Sequence, residues 1–312
     1  MNKPVPVQSG GSVSDQKGSK FGRIGGLEDI VSAYDTLLCD VWGVLHNGVT
    51  IYPAAAEALS RFRAQGGRVV MITNSPRPKP GVVEQLAQLG ASADVYDDIV
   101  TSGDVTRDLI RQVEGTVFHV GPERDVPLFD GLSVRMANDT VANALVCTGL
   151  FKDETESPED YRERFAGPVA RGVPFICANP DIVVERGDRL IWCAGALAQL
   201  YQEMGGEVRL AGKPHKPIYD LAMKKLAALD PSTAGKSRVL AVGDGMPTDV
   251  AGALGNGFDL LYISAGIHAA EYAGSNKDHE TPNEARLNAF LAQHNASPSA
   301  WMPRLTWDAS AQ

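Results

Sequence analysis

The sequence predicts an α/β fold: a doubly wound parallel sheet interrupted by a large inserted α/β domain. Three observations lead there. A strand–helix–strand alternation occupies residues 36–72, the same alternation returns at 238–263, and the stretch between them carries strands and helices of its own. Close succession of strand, helix and strand implies a right-handed parallel crossover, because parallel neighbours cannot be joined by a tight hairpin. Two such segments far apart in the chain imply one sheet assembled from both, with the middle as an insertion.

Taken in order, Met1 to Lys20 is rich in Gly, Ser and Gln, lacks the apolar run of a secretory signal, and reads as a disordered tail. From Thr36 to Val41 an apolar run reads as a buried strand whose polar exit residue is Asp40. Ala54 to Gln65 places Ala58, Leu59 and Phe62 on one helical face, and Gly66-Gly67 stops it. Arg68 to Ile72 is a second strand, giving way to Thr73-Asn74-Ser75 and a proline-rich turn. Within the middle stretch, Val117 to Val120, Ala144 to Thr148 and Pro174 to Ala178 read as strands. Asp104 to Val113, Pro158 to Ala170 and Ala194 to Met204 read as helices. A helix from Ile218 to Leu229 follows. Then come a strand at Arg238 to Val242, a Gly243-Asp244-Gly245 turn, a small-residue helix at Thr248 to Leu254 and a strand at Asp259 to Ile263. Thr281 is the expected N-cap of the last helix, with Pro282 at its first position and Glu284 closing a capping box. These elements place the tail at 1–20, the core at 21–80 and 207–312, and the inserted domain at 81–206.

Composition narrows the function classes. Hydrophobic residues make up 44% and charged residues 21% of 312, as in ordinary globular proteins, so a packed core is expected. Lys plus Arg number 29 against 38 for Asp plus Glu, and the net charge of -9 argues against a nucleic-acid partner. A small phosphorylated ligand stays open, since a divalent cation and one or two lysines reverse the field inside a cleft. No run approaches the roughly 18 apolar residues of a membrane span. Cys39, Cys147, Cys177 and Cys193 form no CxxC pair and sit in apolar runs, reading as small buried hydrophobes of a reducing compartment. A cytoplasmic location without membrane partners is expected, and the sequence leaves a homodimer open.

Ligands of open α/β sheets bind at the carboxyl ends of the strands, where the strand order reverses. Asp40, Thr73, Lys213 in Ala211-Gly212-Lys213-Pro214, and Asp244 with Asp249 all occupy strand or turn exits of that kind. Alone, each has a bland reading: a strand-end turn acid, a polar stop, a surface lysine, an acid favoured by a helix N-terminus. Together, two or three carboxylates, a cation and a hydroxyl in one crevice suit phosphoryl transfer through an aspartyl-phosphate, with Mg²⁺ offsetting their charge.

The order Asp40-Val41-Trp42-Gly43-Val44-Leu45, Thr73-Asn74, Gly212-Lys213-Pro214 and Gly243-Asp244-Gly245-Met246-Pro247-Thr248-Asp249 resembles the four motifs of the haloacid-dehalogenase-like superfamily. The resemblance spans about Leu37 to Ile267. The large insert between the second and third motifs is similar to the subclass (class IIA) of nitrophenylphosphatase-like and pyridoxal-phosphate-phosphatase-like enzymes. It implies a Rossmann-like core with a cap domain, acting as a Mg²⁺-dependent hydrolase on a small phosphorylated metabolite. It further implies Asp40 as nucleophile and metal ligand, Thr73 and the Asn74 backbone N–H on the phosphoryl oxygens, and Lys213 as a point charge between Asp40 and phosphate. Asp244 and Asp249 would complete the metal site with the Trp42 carbonyl, and Asn179 and Asp181 in Cys177-Ala178-Asn179-Pro180-Asp181 resemble a cap motif facing the crevice.

One departure stands out. Phosphatases of this kind usually carry a second aspartate two residues after the nucleophile, as general acid and then base, and this chain has Trp42 there. Trp42 reads as a wall of the pocket, its carbonyl still able to bind metal, and His46 is the nearest substitute acid. Loss of a positioned acid typically removes about 10² to 10⁴ in rate, chiefly for poor leaving groups. Two alternatives follow: a silent phosphometabolite-binding protein, and dehalogenase-like displacement at carbon.

Overall fold

A computed structural model describes residues 22–229, 238–273 and 282–311. The expected N-terminal tail and Thr281 lie outside them. The first half of the core contains β1 (Thr36–Cys39), α1 (Pro53–Ala64), β2 (Arg68–Thr73), α2 (Lys79–Gln88), β3 (Asp98–Thr101) and α3 (Ser102–Arg111). A second layer follows with β4 (Thr116–Val120), β5 (Arg135–Met136), β6 (Ala144–Cys147), α4 (Arg162–Ala170), β7 (Phe175–Cys177), β8 (Val183–Arg186), β9 (Arg189–Trp192), α5 (Ala194–Glu203) and β10 (Val208–Leu210). The chain then returns to the core through α6 (Lys216–Leu229), β11 (Val239–Gly243), α7 (Ala251–Gly255), β12 (Asp259–Ile263), α8 (Ala269–Tyr272), α9 (Glu284–Gln293) and β13 (Ala300–Met302).

The core sheet runs β13-β12-β11-β1-β2-β3 and every pairing in it is parallel. Its strands are apolar on both faces because helices cover both, as all-parallel sheets require. Leu37, Cys39, Val69 and Met71 point into one core with α1, while Leu38, Val70 and Ile72 point into another with α6. The strand order turns at β1: β2 and β3 lie to one side, β11, β12 and β13 to the other. The carboxyl ends of β1 and β11 therefore emerge side by side at the switch point, with the Asp40 N–H donating to the Val242 carbonyl at 2.8 Å.

The inserted domain has a five-stranded parallel sheet, β10-β7-β6-β4-β5, and a separate antiparallel hairpin of β8 and β9. Its boundaries differ from the expected 81–206. β3 pairs with β2, so α2 and β3 belong to the core, whereas β10 pairs with β7 and belongs to the insert. Sheet membership thus draws the insert at 116–210; the four residues of β3 begin with an acid and are too short to show a period.

The last helix also starts differently: Asn283 is the N-cap, its side chain accepting from the Arg286 N–H at 3.0 Å, and Pro282 precedes the helix. All four cysteines are buried and free of disulfides, which matches their reading as small hydrophobes. No helix among the described residues is long and apolar enough to cross a membrane.

Candidate active site

Five strand ends and turns deliver side chains to one pocket of about 60 Å³ between the core and the insert. Asp40 leaves β1, Thr73 ends β2, Asp244 follows β11, and Lys213 sits in the turn joining β10 to α6, where the Lys213–Pro214 peptide is cis. Asp249 lies in a wide helical turn ahead of α7, in which the Val250 N–H reaches back five residues to the Gly245 carbonyl at 3.0 Å. Such π turns widen a helix and re-aim the side chains on it.

The geometry unites the predicted residues. Asp40, Asp244 and Asp249 each offer an oxygen within 4.8 Å of the others. Lys213 Nζ donates to Asp40 Oδ1 at 2.6 Å and to Asp249 Oδ1 at 2.7 Å. At 2% exposure Lys213 is no surface lysine. Backbone donors fix the carboxylates further: the Ile267 N–H bonds Asp244 Oδ2 at 2.8 Å and the Gly245 N–H bonds Asp249 Oδ2 at 3.1 Å. Gly43 makes room for this arrangement. Its φ of 87° favours glycine, and a Cβ there would stand 2.4 Å from Asp244 Oδ2.

Crowding and burial set the charge state. Burial raises the Asp40 pKa well above the carboxylate range, the charge of Asp249 adds to this, and Lys213 opposes it. Burial, then Asp249, pushes Asp244 up to about 7, against the Ile267 hydrogen bond. Burial works against the Lys213 charge, but Asp249 and Asp40 outweigh it and raise the pKa above the lysine range.

Once all three are ionised, the carboxylates exceed the one ammonium by two negative charges, and burial resists that state until a cation offsets it. An all-oxygen donor set with that excess fits a hard divalent cation, Mg²⁺ before zinc.

Other predicted residues are placed less uniformly. The Thr73 hydroxyl oxygen accepts from the Ser75 N–H at 3.2 Å, which leaves its hydrogen for a ligand in the pocket it lines. The Asn74 side chain is committed elsewhere, accepting from the Lys213 N–H at 2.7 Å and donating to Asp181 Oδ1 at 2.8 Å. Trp42 and Asp181 line both this pocket and an adjoining cavity of about 330 Å³, whereas Asn179 lines only the cavity and accepts from the Asp181 N–H at 3.1 Å. His46 also lines the cavity and not the pocket. Its buried ring is pushed down to about 4 by desolvation, and its Nδ1 accepts from the Gly48 N–H at 2.8 Å. A neutral imidazole of that kind is a poor proton donor, so the geometry gives His46 no support as the substitute acid.

Sequence reasoning missed the β8–β9 hairpin. The Trp42 indole N–H donates to the Glu185 carbonyl, the Gly187 N–H donates to the Asn47 carbonyl at 3.2 Å, and Glu185 lines the same pocket as the three carboxylates. The signal was there: Gly187-Asp188 between Val183-Val184 and Leu190-Ile191-Trp192 is a two-residue hairpin turn.

Comparison with known proteins adds a separate line. Residues 37–135 match the family model described as haloacid dehalogenase-like hydrolase, and residues 210–287 match one described as HAD-hydrolase-like. A solved hydrolase of the haloacid dehalogenase-like family from Brucella suis 1330 is 49% identical, with a TM-score of 0.80 over 90% of this chain and 99% of that one. Ribonucleotide monophosphatase NagD of Escherichia coli K12 is 28% identical over 240 residues, 75% of this chain and 89% of the relative. A glycerol phosphate phosphatase from Mycobacterium tuberculosis, solved in complex with magnesium, is 25% identical with a TM-score of 0.59, covering 86% and 79%.

Proposed function

We propose that this chain, which belongs to the haloacid dehalogenase-like hydrolase family, is a phosphatase that moves the phosphoryl group of a small phosphorylated metabolite onto Asp40 and then to water. The observation that carries the reading is Lys213 bridging Asp40 and Asp249 inside a buried triad of carboxylates. An isolated buried lysine would be costly, and one shared by two acids opposes the rise in the Asp40 pKa and holds the nucleophile aimed. Asp40 attacks phosphorus in line with the departing oxygen. The Thr73 hydroxyl and the Asn74 backbone N–H take the equatorial oxygens, and Lys213 offsets their charge. The ligands we assign to the metal are the carboxylates of Asp40, Asp244 and Asp249 and the Trp42 carbonyl. Bound Mg²⁺ would supply Lewis-acid charge to the phosphoryl group.

The names of the relatives suggest where to look for substrates: nucleoside monophosphates and glycerol phosphate. Purified wild type and Asp40→Asn, each with Mg²⁺ and with a chelator, are assayed for phosphate release over a panel of such compounds. Wild-type, metal-dependent release that Asp40→Asn abolishes is expected. Equal release by the variant would sink the nucleophile, and halide release from a haloacid without metal would move the reading to displacement at carbon.

A further inference from the structure

Beyond the catalytic pocket, the cavity of about 330 Å³ is faced by three guanidinium groups from three separate segments. Arg77 follows β2, Arg124 lies in the short helical segment Glu123–Phe129 of the insert, and Arg186 ends β8. In a chain of net charge -9 this convergence runs against the background. Arg124 Nη2 lies 2.5 Å from Asp153 Oδ2, and Arg186 Nη2 lies 2.8 Å from the same oxygen. Two cations thus share one carboxylate, and the further acid Glu154, largely exposed, stands 3.9 Å from Arg186 Nη1. Arg77 Nε faces Asp125 Oδ1 at a longer 3.4 Å, and burial raises the pKa of that acid, which weakens the pairing. Asp181, the remaining acid of the lining, is turned to Asn74. The Arg77, Arg124 and Arg186 side chains keep 30%, 46% and 31% of their exposure, so each is partly accessible where it lines the cavity.

We propose that Arg124 and Arg186, with Arg77 beside them, form a subsite for a carboxylate carried by the phosphorylated substrate. The inference rests on the phosphatase reading and names its substrate class, a small phosphorylated hydroxy acid. Planar guanidinium forks match a carboxylate two N–H groups at a time. One fork of Arg186 is taken by the two Asp153 oxygens, with its second bond at 3.4 Å, so the ligand would meet the N–H groups that remain on Arg186, Arg124 and Arg77. A cavity near the lower end of the ligand-site range suits a few carbons between the two anions. Trp42, Trp192 and Ile191 wall it, so the part between the anions lies against apolar surface.

The test uses a matched pair, 3-phosphoglycerate and glycerol 3-phosphate, which differ by a carboxylate in place of a hydroxymethyl group. Wild type is expected to favour 3-phosphoglycerate in kcat/KM by about tenfold or more, through KM, as charge-assisted hydrogen bonds of this kind are worth. In Arg186→Met and Arg124→Met that preference ratio should collapse toward one. Calorimetric binding of the same pair to Asp40→Asn gives a readout independent of turnover and should show the same preference. Equal kcat/KM for the pair in wild type, or an unaltered ratio in both variants, overturns the subsite and leaves the phosphatase reading standing. Absence of hydrolysis with a retained binding preference overturns the phosphatase reading and keeps the carboxylate subsite.

Discussion

The charge crowding around Asp244 makes the dependence of stability on metal and pH a direct test of the site. Burial and Asp249 hold the Asp244 pKa near 7 against an ordinary 3.8. Between those two values the folded chain keeps a proton that the unfolded chain releases, so stability from this group is lost as pH rises through the interval. The full loss has a ceiling of about 4 kcal/mol. Asp40, also raised, acts in the same direction, and Lys213 keeps its charge throughout. Desolvation holds the rings of buried His46 and half-buried His119 near 4, and they give the opposite slope below about 6.5, since only the unfolded chain charges them there. The informative quantity is therefore the difference between samples with and without Mg²⁺, in which the histidines cancel.

At a Mg²⁺ concentration about 100 times its dissociation constant at pH 8, binding should stabilise the fold by about 2.7 kcal/mol, a rise in Tm of about 5 °C. At pH 5.5 the proton on Asp244 competes with the cation, and the increment should shrink below about 1 kcal/mol. Scanning calorimetry at both pH values, with chelator or Mg²⁺, measures it. Asp244→Asn should be more stable than wild type without metal, by an amount that grows with pH, and should lose the Mg²⁺ increment. An increment equal at pH 5.5 and 8, or one retained in Asp244→Asn, would refute the argument that this carboxylate belongs to a metal site.

Two further outcomes follow from the same pocket. Lys213→Met leaves Asp40 and Asp249 buried without their shared cation and should cost about 3–5 kcal/mol in urea unfolding, besides abolishing turnover; a cost below about 1 kcal/mol would mean that water reaches the two acids. Across aryl phosphates of graded leaving-group pKa, kcat/KM should fall steeply as the leaving group worsens, because Trp42 cannot protonate it and a positioned acid is worth about 10² to 10⁴; a flat dependence would show that another group, with Glu185 the first to examine, delivers the proton.

The core was legible because its signals are local. Each strand of a parallel sheet covered on both faces is an unbroken apolar run, and each run here gives way abruptly to a polar residue that lines the pocket: Asp40, Thr73, Asp244. Once the two halves are known to share a sheet, the topology itself brings those ends together at the switch between β1 and β11. What failed was the marking of edges. β3 and β10 are short strands at the margins of their sheets, and neither four residues nor three can display a period. Pairing partners, which only the fold supplies, decided that β3 joins the core and β10 the insert.

The insert was less legible for a different reason: its contribution to the site is made of long-range polar contacts that leave no pattern in sequence. Arg124 and Arg186 meet at Asp153 from segments far apart, and nothing in the spacing of an arginine announces its partner. Position 42 shows the same asymmetry. The family resemblance could say what Trp42 stands in place of, an aspartate two residues after the expected nucleophile, because that is a property of one position. It could not say what the indole does instead, because the answer lies 143 residues away, where its N–H meets the Glu185 carbonyl and ties the β8–β9 hairpin over the pocket. The indole at the position where the resemblance expects an acid thus holds a carboxylate-bearing hairpin of the insert against the pocket, so the effect of Trp42 has to be read from both domains together.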